Sequence, residues 1–391
     1  MTAVLPIPVV GAAMRGTYVA FIGAGFAFSS WASRIPQVKS HLSLDAGTLG
    51  VVLLAIAAGS VLALPLSGQL VSHLGSARTV TVMSLLLSAA LGTVAVGYLV
   101  GVWLVVVGLF LLGLAIGAWD VAMNVHGAVV ERHLGRSVMS RFHAGFSLGT
   151  VAGALGGAGM VALQVPVTPH LLGVAALVAV VVPWGARDFV PDVEQEHLDA
   201  PNNRSALAAW REPRTLLIGV FVLTAAFAEG AGNDWISLAA IEGYGLSAAV
   251  GTLVFAAFLV AMTTGRWFGP ALLDRFGRVP VVRAMALLSV AGLLVFVLSP
   301  AAPLAFVGAV LWGLGVSLGF PVGMSAGADE PALAAGRVSV IASIGYCAFL
   351  GGPPLIGFLA NSFTVLHALI AVAVLLALGA ALAPAVHEPR T

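Results

Sequence analysis

Four long stretches without a charged side chain are the feature that most constrains the fold. The stretches are 79–119, 142–186, 284–328 and 338–387. Each is about twice the roughly 20 residues that a membrane-spanning helix needs, and each has a turn signal of Gly, Pro or Asn near its middle. The turn signals lie at 97–101, 164–169, 299–303 and 361–362. Each stretch therefore predicts a hairpin of two transmembrane helices.

The composition agrees with a chain surrounded by lipid. Charged residues make up only 8% of the sequence and hydrophobic residues 60%, whereas soluble domains carry roughly 25% charged residues. The net charge of +1 gives no basis for a nucleic-acid partner, and the single cysteine, Cys347, excludes a disulfide framework. We expect the lipid bilayer to be the main surroundings of this chain.

The same pattern extends to twelve predicted spans. They are 14–34, 47–72, 79–98, 101–128, 139–163, 168–187, 214–240, 248–272, 281–299, 302–326, 337–360 and 363–384. The stretch 188–213 is instead polar and rich in acidic residues. The prediction is an all-α membrane protein with an amino-terminal six-helix bundle (1–187), a cytoplasmic linker (188–213) and a carboxy-terminal six-helix bundle (214–391).

Arginines indicate the orientation, because positive charge is retained on the cytoplasmic side of a membrane. If the amino terminus is inside, only Arg34 and Lys39 fall on the outer side, and Arg266 lies within the eighth span. We therefore predict a multi-pass protein of a bacterial inner membrane with both termini in the cytoplasm. Arg34 has the simple interpretation of an outer interfacial charge.

The two halves repeat. Trp31 is followed sixteen residues later by Gly47-Thr48-Leu49, and Trp235 is followed sixteen residues later by Gly251-Thr252-Leu253. An internal repeat of this length, with six spans in each copy, is typical of duplicated transporter scaffolds. The repeat predicts two pseudo-symmetric bundles.

The loop after the eighth span carries a recognisable motif. Its defining residues are Gly269, Asp274, Arg275, Gly277 and Arg278. The aspartate can pair with nearby guanidinium groups, and the glycine permits a tight turn. The equivalent first-half loop keeps Gly68, Gly75 and Arg78 but has Ser72 and His73 in place of the aspartate and the first arginine.

This loop resembles the cytoplasmic signature of the major facilitator superfamily, Gly-x4-Asp-Arg-x-Gly-Arg. Within it, the segments 120–124 and 141–149 look like the group that contains fucose permease. The resemblance covers the whole chain and implies two six-helix bundles. It also implies a proton-linked carrier for sugar-like solutes.

Polar residues inside the spans are the candidates for the chemistry, because an ionisable group in hydrocarbon is costly. In the fourth span, Asp120 and Asn124 share a helix face with Gly113 and Gly117. Asp120 is a candidate proton or substrate site, or the partner in an interhelical hydrogen bond to His143. His143, in the fifth span, is a further candidate, because histidine is the residue type that can change its charge near neutral pH.

The seventh span carries a second polar stripe of Glu229, Asn233 and Ser237, with Asp234 beside it. Glu229 and Asn233 are candidates for substrate or proton binding, and Asp234 is either a third candidate or the cap of the outer helix end. Because 229–234 contains two glycines, we expect the helix to be broken here.

Aromatic side chains could stack on a flat sugar face, or they could pack in the core or anchor at the interface. The candidates for stacking are Trp31, Trp119, Trp235, Trp312 and Tyr346.

We predict a secondary active transporter that moves a small solute by alternating access with proton coupling. The alternatives are a proton-antiporting exporter of drugs or metabolites and a non-transporting sensor on a carrier fold. Because no nucleotide motif, nucleophile–base pair or metal-ligand cluster is visible, we predict no enzymatic activity, cofactor or metal. We expect a monomer.

Overall fold

The computed structural model of the chain describes residues 6–134, 138–191 and 208–388. Within those ranges, twelve helical stretches are long and apolar enough to span a membrane. Helices are expected there because the bilayer offers no water to satisfy free backbone groups. The prediction of an all-α membrane protein with twelve spans in two bundles is confirmed.

Of the first six spans, all but the first begin close to their predicted residues. The helices are α1 (Ile7–Ala32), α2 (Ile35–His41), α3 (Ala46–Leu74), α4 (Ser76–Val100), α5 (Val102–Leu134), α6 (Met139–Ala162) and α7 (Val167–Ala186). The first span begins earlier than predicted, because Pro8 lies in the first turn of α1, where a proline needs no hydrogen-bond partner.

The second six spans include two interrupted helices. The helices are α8 (Pro213–Tyr244), α9 (Ala248–Phe276), α10 (Arg278–Leu298), α11 (Ala302–Val316), α12 (Gly319–Gly327), α13 (Pro331–Ser362), α14 (Val365–Ala368) and α15 (Ile370–Leu382), followed by a 3₁₀ turn at Ala383–Val386. The tenth span is divided between α11 and α12, an interruption that the sequence did not predict. The twelfth span runs through α14 and α15.

The chain divides into two compact units. Unit 1 comprises Met1–Leu44 and Val51–Gln195, and unit 2 comprises Asp45–Gly50 and Glu196–Thr391. In unit 1, α4 packs on α5 and α7, and α1 packs on α6 and α7. In unit 2, α10 packs on α11 and α15, and α8 packs on α13 and α15. In both units, therefore, the third span packs on the fourth and sixth spans, and the first span packs on the fifth and sixth.

The start of the predicted linker packs against unit 1. Phe189 and Val190 are buried: the Val190 N–H donates to Nε2 of His126 over 3.1 Å, and the Phe189 ring stacks on the imidazole at 3.6 Å. Since Nε2 accepts this bond, Nδ1 carries the hydrogen and donates to Oγ1 of Thr17, 3.0 Å away. Phe189 and Val190 are therefore held against unit 1 rather than solvated. Residues 192–207 lie outside the described part of the chain, so the linker itself stays a prediction.

Candidate functional site

The polar stripe of α5 lies on a helix face that also packs closely against α3. A Cβ on Gly113 would overlap the carbonyl oxygen of Ile56, and a Cβ on Gly117 would lie 3.0 Å from the carbonyl oxygen of Ser60. Further along, Asp120 is part-exposed halfway through the helix. The glycines thus bring the backbones of α5 and α3 together. Asp120 is the next residue along the same face of α5.

Asp120 is hydrogen-bonded within its own helix. The Asn124 amide donates to Oδ1 of Asp120 over 3.2 Å and to its backbone oxygen over 2.8 Å. The carboxylate is therefore paired with a neutral amide, not in an interhelical bond to His143. His143 is exposed on α6, and its ring meets Phe21 edge-on at 5.2 Å.

Glu229 lies halfway along α8 and forms an ion pair with Arg266 of α9. Nη2 of Arg266 donates to Oε2 of Glu229 over 2.7 Å, and the two side chains are 20% (Glu229) and 28% (Arg266) exposed. This pairing was not predicted, because the sequence assigned Arg266 to no site. A signal did exist, since an arginine within a span requires a partner.

The expected break at 229–234 does not occur, because α8 continues through it. Packing stabilises the weak segment: a Cβ on Gly232 would overlap the ring of Phe258, so the glycine is needed for close contact. Asn233 and Asp234 are part-exposed, whereas Ser237 is buried. Among the described residues, Asp234 has no hydrogen-bond or ion-pair partner.

The interruption in unit 2 lies in the tenth span, beside the ion pair. Between α11 and α12 the helical hydrogen bonding is broken at Ser317 and Leu318, and Nε of Arg266 lies 3.4 Å from the carbonyl oxygen of Ser317. Arg266 therefore contacts both Glu229 and backbone exposed by a broken helix. Such breaks are tolerated at membrane depth where protein groups satisfy the backbone.

The four tryptophans proposed for stacking are core residues. Trp31, Trp119, Trp235 and Trp312 are all at most 1% exposed. Trp312, for example, packs edge-on to Phe258 at 5.2 Å. A ring with no accessible face cannot stack on a solute, so this prediction is wrong for the tryptophans in this conformation. Of the five aromatic candidates only Tyr346 is part-exposed.

Arg34 is also buried, contrary to its interpretation as an interfacial charge. It is 2% exposed, and its Nε donates to Nδ1 of His170 over 2.8 Å. Its Nη2 donates to the carbonyl oxygen of Val165 over 3.1 Å. The guanidinium thereby ties the end of α1 to α7, and the bond requires His170 to be neutral, with its hydrogen on Nε2.

The loop motif, which spans the junction of α9 and α10, joins an ion-pair network, but not through its aspartate. Asp274 is exposed, and Arg275 lies over the Phe276 ring at 5.1 Å. Arg278 instead donates to Oδ1 of Asp329 over 2.6 Å, and Arg214 donates to Oδ2 over 2.8 Å. Asp329, between α12 and α13, was absent from the predicted site residues.

A second pair lies nearby, at the start of α8. Nε of Arg337 donates to Oε2 of Glu212 over 2.6 Å, and the Thr215 hydroxyl donates to the same oxygen over 2.8 Å. The hydrogen bond from Arg337 is the main reason that the pKa of the Glu212 carboxyl lies below its ordinary value. We call the end of unit 2 that contains these two ion-pair groups its arginine-rich end.

Residues 17–348 match the sequence model of a family described as the Major Facilitator Superfamily. The chain belongs to the major facilitator superfamily. It is 30% identical over 381 residues to an uncharacterized transporter, y4wD, of Sinorhizobium fredii (strain NBRC 101917 / NGR234), covering 96% of this chain and 98% of that protein.

Solved superfamily transporters share the fold. The nucleoside transporter NupG superposes with a TM-score of 0.76 at 13% identity, covering 97% of this chain and all of NupG. The fucose:proton symporter FucP of E. coli gives a TM-score of 0.64 at 16% identity and covers 98% of this chain and 99% of FucP. Identities this low show the fold alone. The superpositions confirm the expected superfamily architecture, with FucP among the structural relatives of this chain.

The superfamily loop motif has the same backbone turn in both halves. Gly75 precedes α4 with φ 77°, and Gly277 precedes α10 with φ 81°. Both values lie in the region that favours glycine, so the two glycines make the same tight turn. The side-chain interactions differ, because Arg78 is exposed whereas Arg278 is bonded to Asp329.

Proposed function

We propose that the chain is a secondary active transporter that moves a small, sugar-like solute together with protons by alternating access. The observation that supports it best is the position of Asp120. This carboxylate lies halfway along a membrane helix, and its partner is the amide of Asn124. Among the described residues, no cation pairs with it. Neutralisation by a proton removes the cost of an uncompensated charge in such a place.

The ion pair in unit 2 changes which acid we assign to the proton. Glu229 is compensated by Arg266, so its charged form is stabilised without a proton. Asp120 and Asp234 lack a cationic partner among the residues described. We therefore assign proton coupling to Asp120 first and Asp234 second, and a solute-binding role to Glu229.

The named relatives support a hydroxyl-bearing solute. FucP is a fucose:proton symporter and NupG a nucleoside transporter, and fucose and nucleosides both carry several hydroxyl groups. The candidate site groups inside the spans include acids, amides and an arginine, which bind hydroxyl groups by hydrogen bonds. We extend this substrate class to the chain as part of the proposal.

The test is uptake of radiolabelled L-fucose and uridine into proteoliposomes with an alkaline interior. The wild type should accumulate at least one of the two solutes. Asp120→Asn should lose gradient-driven accumulation and keep solute exchange, while Asp188→Asn, an exposed acid at the end of α7, should behave as wild type. Gradient-driven accumulation by Asp120→Asn at the wild-type rate would refute its role.

The same preparation separates the alternatives. An exporter would accumulate solute only when the pH gradient is reversed, and a sensor would move neither solute under either gradient. Either result would contradict the proposed proton symport.

A further inference from the structure

The ion pair between Glu229 and Arg266 leaves hydrogen-bonding capacity unused. Only one strong bond joins them, from Nη2 to Oε2. Among the described residues, Oε1 of Glu229 and Nη1 of Arg266 take part in no hydrogen bond. A carboxylate has about four acceptor sites and a guanidinium five donors, so an open acceptor lies beside an open donor.

The pair is accessible rather than sealed in the core. The side chains are 20% and 28% exposed, although both lie well inside long apolar helices. Lipid tails cannot satisfy the open groups. A polar solute that reaches this depth can do so.

We propose that Glu229 and Arg266 together bind a vicinal diol of a neutral sugar or cyclic polyol. One hydroxyl donates to Oε1 of Glu229, and its neighbour accepts from Nη1 of Arg266. The inference rests on the proposed function, because it assumes that a solute enters the spans. Arg266 thereby becomes a specificity-determining residue.

Charge explains why the solute is neutral. The pair has no net charge, so a carboxylate or ammonium group on the solute would bring an uncompensated charge into the membrane-spanning region. A hydroxyl group both donates and accepts, which suits it to a site that offers one donor and one acceptor.

Aromatic side chains lie beside Gly230, the neighbour of Glu229 in the sequence. A Cβ on Gly230, the residue after Glu229, would lie 3.4 Å from the ring of Phe349, and the Phe349 and Tyr346 rings are 6.1 Å apart on α13. Tyr346 and Phe349 are both part-exposed. An apolar sugar face can pack on such rings while its hydroxyls reach the charged pair.

The first experiment uses the purified wild-type protein and a thermal-shift screen. The probes are methyl hexopyranosides, their deoxy analogues and the corresponding hexuronates. Stabilisation by a neutral hexopyranoside, lost when either of two adjacent hydroxyls is removed, supports the proposal. Stabilisation by a hexuronate but not its neutral parent overturns it, as does the absence of any stabilisation.

The second experiment uses a double variant, Glu229→Gln with Arg266→Gln, which removes both charges without leaving one unpaired. It should bind the same hexopyranoside about tenfold more weakly or worse, since two charge-assisted bonds are lost. The control is Arg283→Gln, because Arg283 also donates to a backbone carbonyl, and this variant should bind normally. Unchanged affinity in the double variant contradicts the proposal.

The two proposals fail separately. If hexopyranosides bind through the diol but no proton gradient drives their uptake, the site stands and the coupling is wrong. If uptake is proton-driven but the double variant binds normally, the diol site is wrong and the proposed function stands. The wild-type screen decides the inference even if the double variant does not fold.

Discussion

Asp329 binds two arginines, one through each carboxylate oxygen: Oδ1 accepts from Arg278 over 2.6 Å and Oδ2 accepts from Arg214 over 2.8 Å. The aspartate is 7% exposed, and the arginines come from the first turns of two different helices, α10 and α8. The carboxylate thus connects three separate parts of the arginine-rich end of unit 2.

Asp329→Asn should therefore destabilise the protein. The loss should be on the order of 2 kcal/mol, between the roughly 0–1 kcal/mol of exposed pairs and the 3–5 kcal/mol of fully buried ones. The measurement is the apparent melting temperature in detergent. Asp274→Asn is the matched control, because Asp274 is exposed in the same region, and an equal loss in both variants would show that Asp329 has no special role.

The pair of Glu212 and Arg337 predicts a pH dependence. Because the pKa of Glu212 is lowered in the folded state, its contribution to the free energy of unfolding is present above its ordinary pKa of 4.5 and is lost as the pH falls through the lower folded value. Glu212→Gln should lower the melting temperature at pH 7, by the equivalent of about 1 kcal/mol for this part-exposed pair. The gap to wild type should narrow below pH 4.5. A gap that does not change with pH would contradict the assignment.

The buried Arg34 predicts a cost for removing its acceptor. His170→Ala leaves Nε of Arg34 without a partner, which should destabilise unit 1 by about 2 kcal/mol. His170→Gln can supply a carbonyl oxygen and should recover part of the loss in apparent melting temperature. If both variants melt like the wild type, the bond between Arg34 and His170 does not stabilise the protein.

The predicted orientation is tested by paired cysteines in a Cys347→Ala background. Asp274→Cys lies in the exposed last turn of α9, before the turn into α10, and Ala301→Cys lies in the exposed loop between α10 and α11. With the amino terminus inside, an impermeant thiol reagent added to intact cells should label Ala301→Cys and spare Asp274→Cys. The opposite labelling would reverse the orientation.

The spans and the repeat of the two halves could be predicted because they depend on properties visible in the sequence. Length, hydropathy and turn residues are visible in the sequence, and the offset between Trp31 and Trp235 reflects the repeated arrangement of helices. The interruption of the tenth span was not predicted, although the sequence marks it: Pro321 has no N–H to donate to the carbonyl oxygen of Ser317, four residues earlier. The neighbouring Arg266 explains how the break is tolerated, because its Nε lies 3.4 Å from the carbonyl oxygen of Ser317.

The site residues were predictable as residue types but not as pairs. Glu229 was singled out as a costly acid, whereas its partner is 37 residues away on another helix, at a position that only packing determines. Asp329 was missed for the same reason, since its arginines are distant in sequence. The buried tryptophans show a different limit: sequence alone does not distinguish a core ring from an accessible one.

Proton coupling through Asp120 is the central claim, and solute-induced proton movement tests it most directly. Proteoliposomes in a weakly buffered medium receive the solute that the uptake assay identifies, and a pH electrode follows the outside. The account predicts that the medium becomes alkaline as protons enter with the solute, and that Asp120→Asn abolishes this signal while exchange continues. Solute entry into wild-type vesicles without any change in external pH would contradict it.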